Sequence, residues 1–376
     1  MDGLKIGFDA KRLFNNYTGL GNYSRNLVHG LNQFYRNQQY YLFTPKIKTN
    51  SETREFLNAP YQLVTSNKMP GGFWRTFGST TRIKKLHLDI YHGLSHELPV
   101  GIHKTGTRSV VTIHDLIYKT YPNDFSTIDR KIYDYKFRYA CDHADAIVAV
   151  SQSTRNDIIN YYNVPEDKVK VVYQSCHENF KHPVDEATIT EVLKTYELPP
   201  EFILYVGSVI ERKNLLGLVK ALELLKNQET LPLVVVGGGR EYLKKVKDYV
   251  EAKKLNRLVF FRHTVAFQHL PALYQHAKVF IYPSVYEGFG IPLIEALWGK
   301  TPVITSNLSS LPEAAGPGAL YIDPYRPESI AEGILKVTTQ PDYAKKLVEL
   351  GYQHVHQFDM EPLSHAIQKI YTSLLT

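Results

Sequence analysis

The sequence has 376 residues, 43% of them hydrophobic and 22% charged, and a formal net charge of +7 at pH 7. That length exceeds what a single core usually supports, so two domains with a cleft between them are expected. The only cysteines, Cys141 and Cys176, stand far apart and outside any metal-ligand spacing, which argues against a disulfide framework and a zinc site.

Counted by halves, residues 1–180 carry 23 Lys and Arg against 16 Asp and Glu, whereas residues 181–376 carry 21 against 21, so the whole excess lies in the first half. A positive half suits anionic lipid headgroups, a lipid-phosphate acceptor or nucleic acid, and equally a solvated surface without a partner. No RNA-recognition signature accompanies it, so nucleic acid is not an expected partner. Met1 to Lys5 leads straight into a short apolar run, and no apolar stretch is long enough to cross a bilayer. The expected location is cytoplasmic, with peripheral contact at an anionic inner membrane face left open.

In chain order, residues 4–10 read as a strand and 22–34 as a helix after a glycine-containing loop. Strand-like runs follow at 40–44, 89–92, 109–114, 146–150 and 169–173, then at 202–207, 231–237, 259–262, 279–283, 301–305 and 319–322. Helical stretches and loops alternate with them, which is the rhythm of βαβ units around parallel sheets. The fold class is therefore α/β, with two doubly wound Rossmann-like domains. The polar, aperiodic stretch near residues 174–200 marks the join. Residues 362–375 place Leu363, Ala366, Ile367, Ile370, Tyr371 and Leu374 on one helical face that must pack on something, not necessarily on the preceding domain.

Several strand ends carry chemistry. Glu287-Gly288-Phe289-Gly290 follows a strand ending Tyr282-Pro283-Ser284 and opens a helix containing Glu295. Glycines at a helix start let backbone N–H groups approach a phosphate or a sugar hydroxyl. Eight residues separate the two glutamates, which places Glu295 about two turns on and on a similar face. A carboxylate there can accept both hydroxyls of a ribose; the plain alternative is a strand-to-helix turn with a dipole-compensating acid. Arg212 and Lys213, in a turn after Gly207, are placed to neutralise a departing diphosphate, Arg by paired hydrogen bonds and Lys as a compact charge. A merely solvated basic pair is the alternative.

His114 and Asp115 close a strand at the carboxyl edge of the first sheet, where open α/β sheets bind ligands. His92 ends another strand, bordering an acceptor pocket, and His96 follows it. Gly237-Gly238-Gly239-Arg240 ends a strand where backbone can approach a nucleotide, with Arg240 reaching phosphate or base, or forms a simple flexible turn. Ser151 suggests a nucleophile but stands where a helix cap belongs. The stretch from Gly71 to Phe77 mixes aromatics with Arg75, suiting an acceptor border, a membrane contact or a satellite hydrophobic cluster. Tyr17-Thr18-Gly19-Leu20-Gly21 lacks the third glycine and the ribose-binding acid of a dinucleotide-binding loop, which sets aside a dehydrogenase.

These motifs, in this order and over nearly the whole chain, resemble those of the retaining glycosyltransferases of family four, which have the two-domain GT-B fold. The resemblance implies that Glu287 contacts the donor sugar and Glu295 the ribose, while the backbone of Gly288, Phe289 and Gly290 holds sugar hydroxyls and phosphate. It implies that Gly19 and Gly21 present N–H groups to the donor phosphate, that His114 lies beside the donor sugar, and that main chain near Val265 meets the base, although the family's usual glycine is absent there. Glu313, in the segment from Ser309-Ser310-Leu311-Pro312-Glu313 to Gly316 that resembles the family's stretch after the donor-site helix, would orient the phosphate loop. The expected domains are 1–180 with the 360–376 helix crossing back to them, for the acceptor, and 181–359 for the donor. The expected activity is metal-independent transfer, with retention, of a hexose from a nucleotide-diphosphate sugar to a glycan or lipid-linked acceptor, without cofactor. GDP-mannose is the first expected donor and a UDP-sugar the next; a catalytically silent nucleotide-sugar-binding subunit is the rival.

Overall fold

A computed structural model describes residues 3–66, 71–228 and 230–376. The chain divides into two compact units, one reaching to Ser175 and taking back Phe358–Thr376, the other Cys176–Gln357. The expected joins at 180 and 360 differ from these by a few residues.

In the first unit β1 (Lys5–Asp9), β2 (Gln39–Thr44), β3 (Tyr61–Thr65), β4 (Ile90–Gly93), β5 (Arg108–Ile113), β6 (Ala146–Ala149) and β7 (Val169–Val171) form one sheet in the order β3-β2-β1-β4-β5-β6-β7. Every pair is parallel, and β1 aligns with β2 from Lys5↔Gln39 to Asp9↔Phe43. Helices cover both faces, so central strands read as unbroken apolar runs such as Ile147-Val148-Ala149, all fully buried. Edge strand β3 escapes a reading of the sequence because Tyr61 is buried while Gln62 is exposed and Leu63 to Thr65 are half-buried, which gives neither a continuous run nor a clean alternation.

The helix expected at 22–34 begins at Gly19 (Gly19–Phe34), so the glycines stand in its first turn and not in a preceding loop. The C-terminal Met360–Ser373 helix lies against it. Leu363, Ile367, Ile370 and Tyr371 join the buried core of this unit, and Ala366 and Leu374 pack at its margin. Gly30 lets the two helices approach, since a Cβ there would stand 2.5 Å from Ser364 Oγ. Ser151 is the expected helix cap: its Oγ accepts from the Thr154 N–H at 2.9 Å.

The second unit repeats the plan with β8 (Ile203–Val206), β9 (Leu233–Val236), β10 (Val259–Arg262), β11 (Val279–Tyr282), β12 (Val303–Ser306) and β13 (Ala319–Ile322), in the parallel order β10-β9-β8-β11-β12-β13. In each sheet the order reverses at one place, between β1 and β4 and between β8 and β11. Connections there leave toward opposite faces and open a crevice at the carboxyl edge. Among the described residues no helix is long and apolar enough to cross a membrane.

Candidate active site

At the carboxyl edge of the second sheet two glycines cross at close quarters. Gly207 after β8 has φ +150° and Gly237 after β9 has φ +139°, and a Cβ on Gly237 would stand 2.0 Å from the Gly207 carbonyl oxygen. A side chain at that position is therefore excluded by both space and backbone conformation. Gly207 also gives room to Lys213, whose Nζ would lie 3.2 Å from a Cβ there.

Lys213 and Arg212 come from a single 3₁₀ turn, Glu211–Lys213, closed by Asn214 in the left-handed region at φ +55°. Both side chains are largely buried and converge on one carboxylate oxygen. Glu287 Oε1 lies 3.0 Å from Arg212 Nη1 and 3.8 Å from Lys213 Nζ. It also accepts from Tyr282 Oη and Ser284 Oγ, each at 2.9 Å. Lys213 donates to Tyr282 Oη at 2.6 Å, and Arg212 donates to the Tyr286 carbonyl as well. Burial alone would push the Glu287 carboxyl up, but Lys213, Arg212 and the two hydroxyl donors outweigh it and hold the group below its ordinary value. Burial pushes the Lys213 ammonium down, against the attraction of Glu287.

The loop behind Glu287 is fastened by two serines. Ser309 Oγ accepts from the Glu287 N–H at 2.9 Å, and Ser310 Oγ lies 2.8 Å from the Glu287 carbonyl and 2.7 Å from that of Phe289. Gly290, at φ +127°, turns the chain into the Ile291–Trp298 helix, with Gly288 half-buried and Phe289 buried. Because the helix starts only at Ile291, Glu287 is a loop residue, and counting helical turns does not relate it to Glu295. The two carboxylates occupy opposite environments. Glu295 is 8% exposed, its Oε2 accepts from Tyr274 Oη at 2.7 Å, and burial pushes its carboxyl up to about 7. Lys213 acts electrostatically on both acids.

Around this centre, Gly238 and Arg240 are exposed, and a Cβ on Gly238 would touch nothing. Val265 is half-buried in the loop after β10, which is held by the Tyr196 hydroxyl accepting from the Ala266 N–H and by Arg262 donating to the Tyr196 and Glu197 carbonyls. Glu313 is half-buried on the Leu311–Ala315 helix, its carbonyl 3.1 Å from His354 Nε2. Tyr274, Tyr282, Ser284, Ser309 and Ser310 also contact this centre, although sequence assigned none of them a role. Tyr282 and Ser284 carried a signal as polar groups at a strand end, and Ser309 and Ser310 as the start of the segment leading to Glu313; Tyr274 meets Glu295 through folding that spacing does not reveal.

The first unit corrects several expectations. His92 does not border a pocket: it is fully buried, with Nδ1 2.6 Å from Tyr371 Oη and Nε2 2.8 Å from Thr112 Oγ1, and burial pushes its pKa down to about 3. It ties the C-terminal helix to the sheet. The His114 imidazole is engaged at both nitrogens, by the Leu94 carbonyl at 2.9 Å and Gln174 Nε2 at 3.2 Å, with its pKa lowered to about 4 by burial. Both ring nitrogens are thus occupied within this unit, and Asp115 Oδ1 accepts from the Ile117 N–H. The Gly21 N–H is taken by the Thr18 carbonyl and Asn16 Oδ1, at 2.9 and 3.1 Å, and a Cβ there would stand 1.8 Å from the Asn16 carbonyl oxygen. Gly21 is thus a packing glycine rather than an anion donor, whereas Gly19 is exposed with open space around it.

Residues 17–176 match the family model Glycosyltransferase Family 4, and residues 191–354 match Glycosyl transferases group 1. The chain is 32% identical to the O-antigen chain mannosyltransferase B of Escherichia coli over 276 residues, 72% of this chain and 71% of that one. Its fold is similar to that of a glycosyltransferase from Rickettsia africae ESF-5, at TM-score 0.78 and 18% identity over 100% of both chains. It is also similar to Alr3699/HepE of Anabaena, solved with UDP and glucose, at TM-score 0.74 and 15% identity over 98% of this chain and 99% of that one. Matched in both halves, and over more than two thirds of a relative above 30% identity, this chain belongs to the family 4 glycosyltransferases.

Proposed function

We propose that the chain is a retaining mannosyltransferase that takes mannose from GDP-mannose and adds it to a glycan or lipid-linked acceptor in the synthesis of a lipopolysaccharide or related polysaccharide. The observation that carries this reading is the convergence of Arg212, Lys213, Tyr282 and Ser284 on Glu287; the sugar is inferred from the O-antigen relative.

In this reading the donor diphosphate takes up the positive charge of Arg212 and Lys213, which without ligand is balanced by Glu287. Charge grows on the phosphate oxygen as the bond to the anomeric carbon breaks, and preorganised cations in a buried site stabilise that growth most. They supply the charge a divalent metal would otherwise bring. The acceptor hydroxyl bonds to the anomeric carbon on the face the phosphate leaves, and its proton passes to the departing phosphate oxygen. Glu287, kept ionised, orients the sugar hydroxyls, and Glu295 receives the ribose hydroxyls. The main chain of Gly207, Gly238 and Gly288 to Gly290 borders the phosphates and sugar, with Arg240 and the Val265 loop toward the base.

Incubation with GDP-mannose and a set of mannose-terminated oligosaccharides is expected to release GDP and give an α-linked product by NMR. A β-linked product would rule out retention. The HepE complex with UDP and glucose favours a second reading, a UDP-sugar donor; turnover of UDP-glucose with none of GDP-mannose would establish it.

A further inference from the structure

The first unit's sheet reverses its order between β1 and β4, and the residues following those two strands are unequally charged. Arg75, buried, satisfies both acids at this edge. Its Nε and Nη2 lie 2.6 and 2.5 Å from Asp9 Oδ2, and its Nη1 lies 2.7 Å from Glu97 Oε1. Glu97 also pairs with Lys136 at 3.2 Å, and Asp9 Oδ1 accepts from the Lys11 backbone N–H. Four cations thus face two carboxylates, and two positive charges are left over.

The surplus is specific. Among the described residues nothing accepts from Lys11 Nζ or from the Arg12 guanidinium, whose Nε is shielded from solvent. His96, 8% exposed, lies flat on Phe137 at 4.3 Å with the His114 ring 5.2 Å away and inclined to it, and its Nδ1 is buried without a partner. Burial, Arg75 and Arg12 together push the Lys11 ammonium down, against Glu97 and Asp9; burial, His114, Arg12 and Arg75 push His96 well down. These groups therefore act on one another electrostatically, and the two carboxylates at this edge are already taken up by Arg75 and Lys136. Leaving shielded donors unsatisfied is costly, and a guanidinium fork, an ammonium and a neutral imidazole N–H together match the acceptor atoms of an oxyanion.

We infer that this edge binds an oxyanion, a phosphate or a carboxylate, carried by the acceptor substrate. The inference rests on the glycosyl-transfer reading, because only a transferase has an acceptor; the donor diphosphate has its own cations, Arg212 and Lys213, in the other unit.

The test uses the full chain carrying R212A, so that the donor-side arginine does not contribute, and follows the His96 imidazole C–H resonance, assigned by its loss in H96N. Inorganic pyrophosphate, standing for a lipid-linked diphosphate, and glucuronate, standing for an acidic sugar, are titrated separately. At least one is expected to shift the resonance saturably, and the tighter of the two identifies the source of the oxyanion. R12Q is expected to weaken that binding about tenfold or more, as fits the loss of one charge-assisted contact; K11Q provides the same comparison should R12Q not fold. With Arg212 intact, R12Q is expected to bind GDP as the unmodified chain does. Absence of a shift with both anions, or unchanged binding in R12Q and K11Q, overturns the site. An equal loss of GDP affinity in R12Q reassigns it to the donor and overturns the acceptor claim. Failure of GDP to bind the unmodified chain counts against the glycosyl-transfer reading itself, separately from the anion titrations.

Discussion

Glu287 and Glu295 belong to one sequence motif yet are tuned in opposite directions. Glu287 is surrounded by cations and hydroxyls and stays ionised, while Glu295 has one hydroxyl donor and a pKa raised to about 7. The raised value has a consequence for stability. The folded chain holds this proton more tightly than the unfolded one, so the contribution is full below the ordinary carboxyl pKa and is lost as pH rises through about 7. Urea unfolding of E295Q is therefore expected to show a gain over the unmodified chain at pH 8 that shrinks toward pH 5, by on the order of 3 kcal/mol at most. Because a ribose needs the carboxylate, E295Q is also expected to bind GDP roughly tenfold or more weakly near pH 8, by calorimetry. R212A is expected to lower kcat by about two to three powers of ten, the usual cost of removing a preorganised donor to developing charge. Near-normal turnover in that variant would remove Arg212 from the mechanism. Sequence reading identified the residue types of this centre because Arg, Lys and Glu at strand ends are unusual and chemically explicit. It could not foresee that all four donors converge on one oxygen, or that His92 is fully buried against the last helix, because burial is set by strands and helices distant in sequence.

At the scale of elements, the glycine crossing of β8 and β9 confines one residue and leaves the next with room. Gly237 is confined by φ +139° and by the Gly207 carbonyl, whereas Gly238, one residue on, has open space. G237A is expected to lose on the order of 2 kcal/mol or more in urea unfolding, from combined strain and clash. G238A is expected to stay within about 0.5 kcal/mol of the unmodified chain, while losing GDP affinity if main chain there approaches the nucleotide. A stable G237A would show that the two strand ends have room to separate. Strands were legible where helices bury both faces, since an apolar run between turn residues has few other readings. The ends of helices were less so: the start at Gly19 depends on Asn16 folding back to accept from the Thr18 and Gly21 N–H groups, a local bond that glycine spacing does not announce.

At the scale of the molecule, the return of the last helix to the first unit was legible only as an unsatisfied apolar face; its destination is fixed by Gly30, by the core around Leu363 and Ile367, and by the Tyr371–His92 hydrogen bond. The charge asymmetry between halves has a structural counterpart in the surplus of cations at the β1/β4 edge. The central claim, that the second unit binds a nucleotide-diphosphate sugar through Arg212, Lys213, Glu287 and Glu295, is open to one direct measurement. Thermal unfolding is recorded with GDP, UDP, ADP and their sugar conjugates, since a ligand that binds only the folded chain raises its stability with occupancy. GDP and GDP-mannose are expected to raise the Tm of the unmodified chain and to have little effect on R212A. If no nucleoside diphosphate or nucleotide sugar moves the Tm, the account is contradicted.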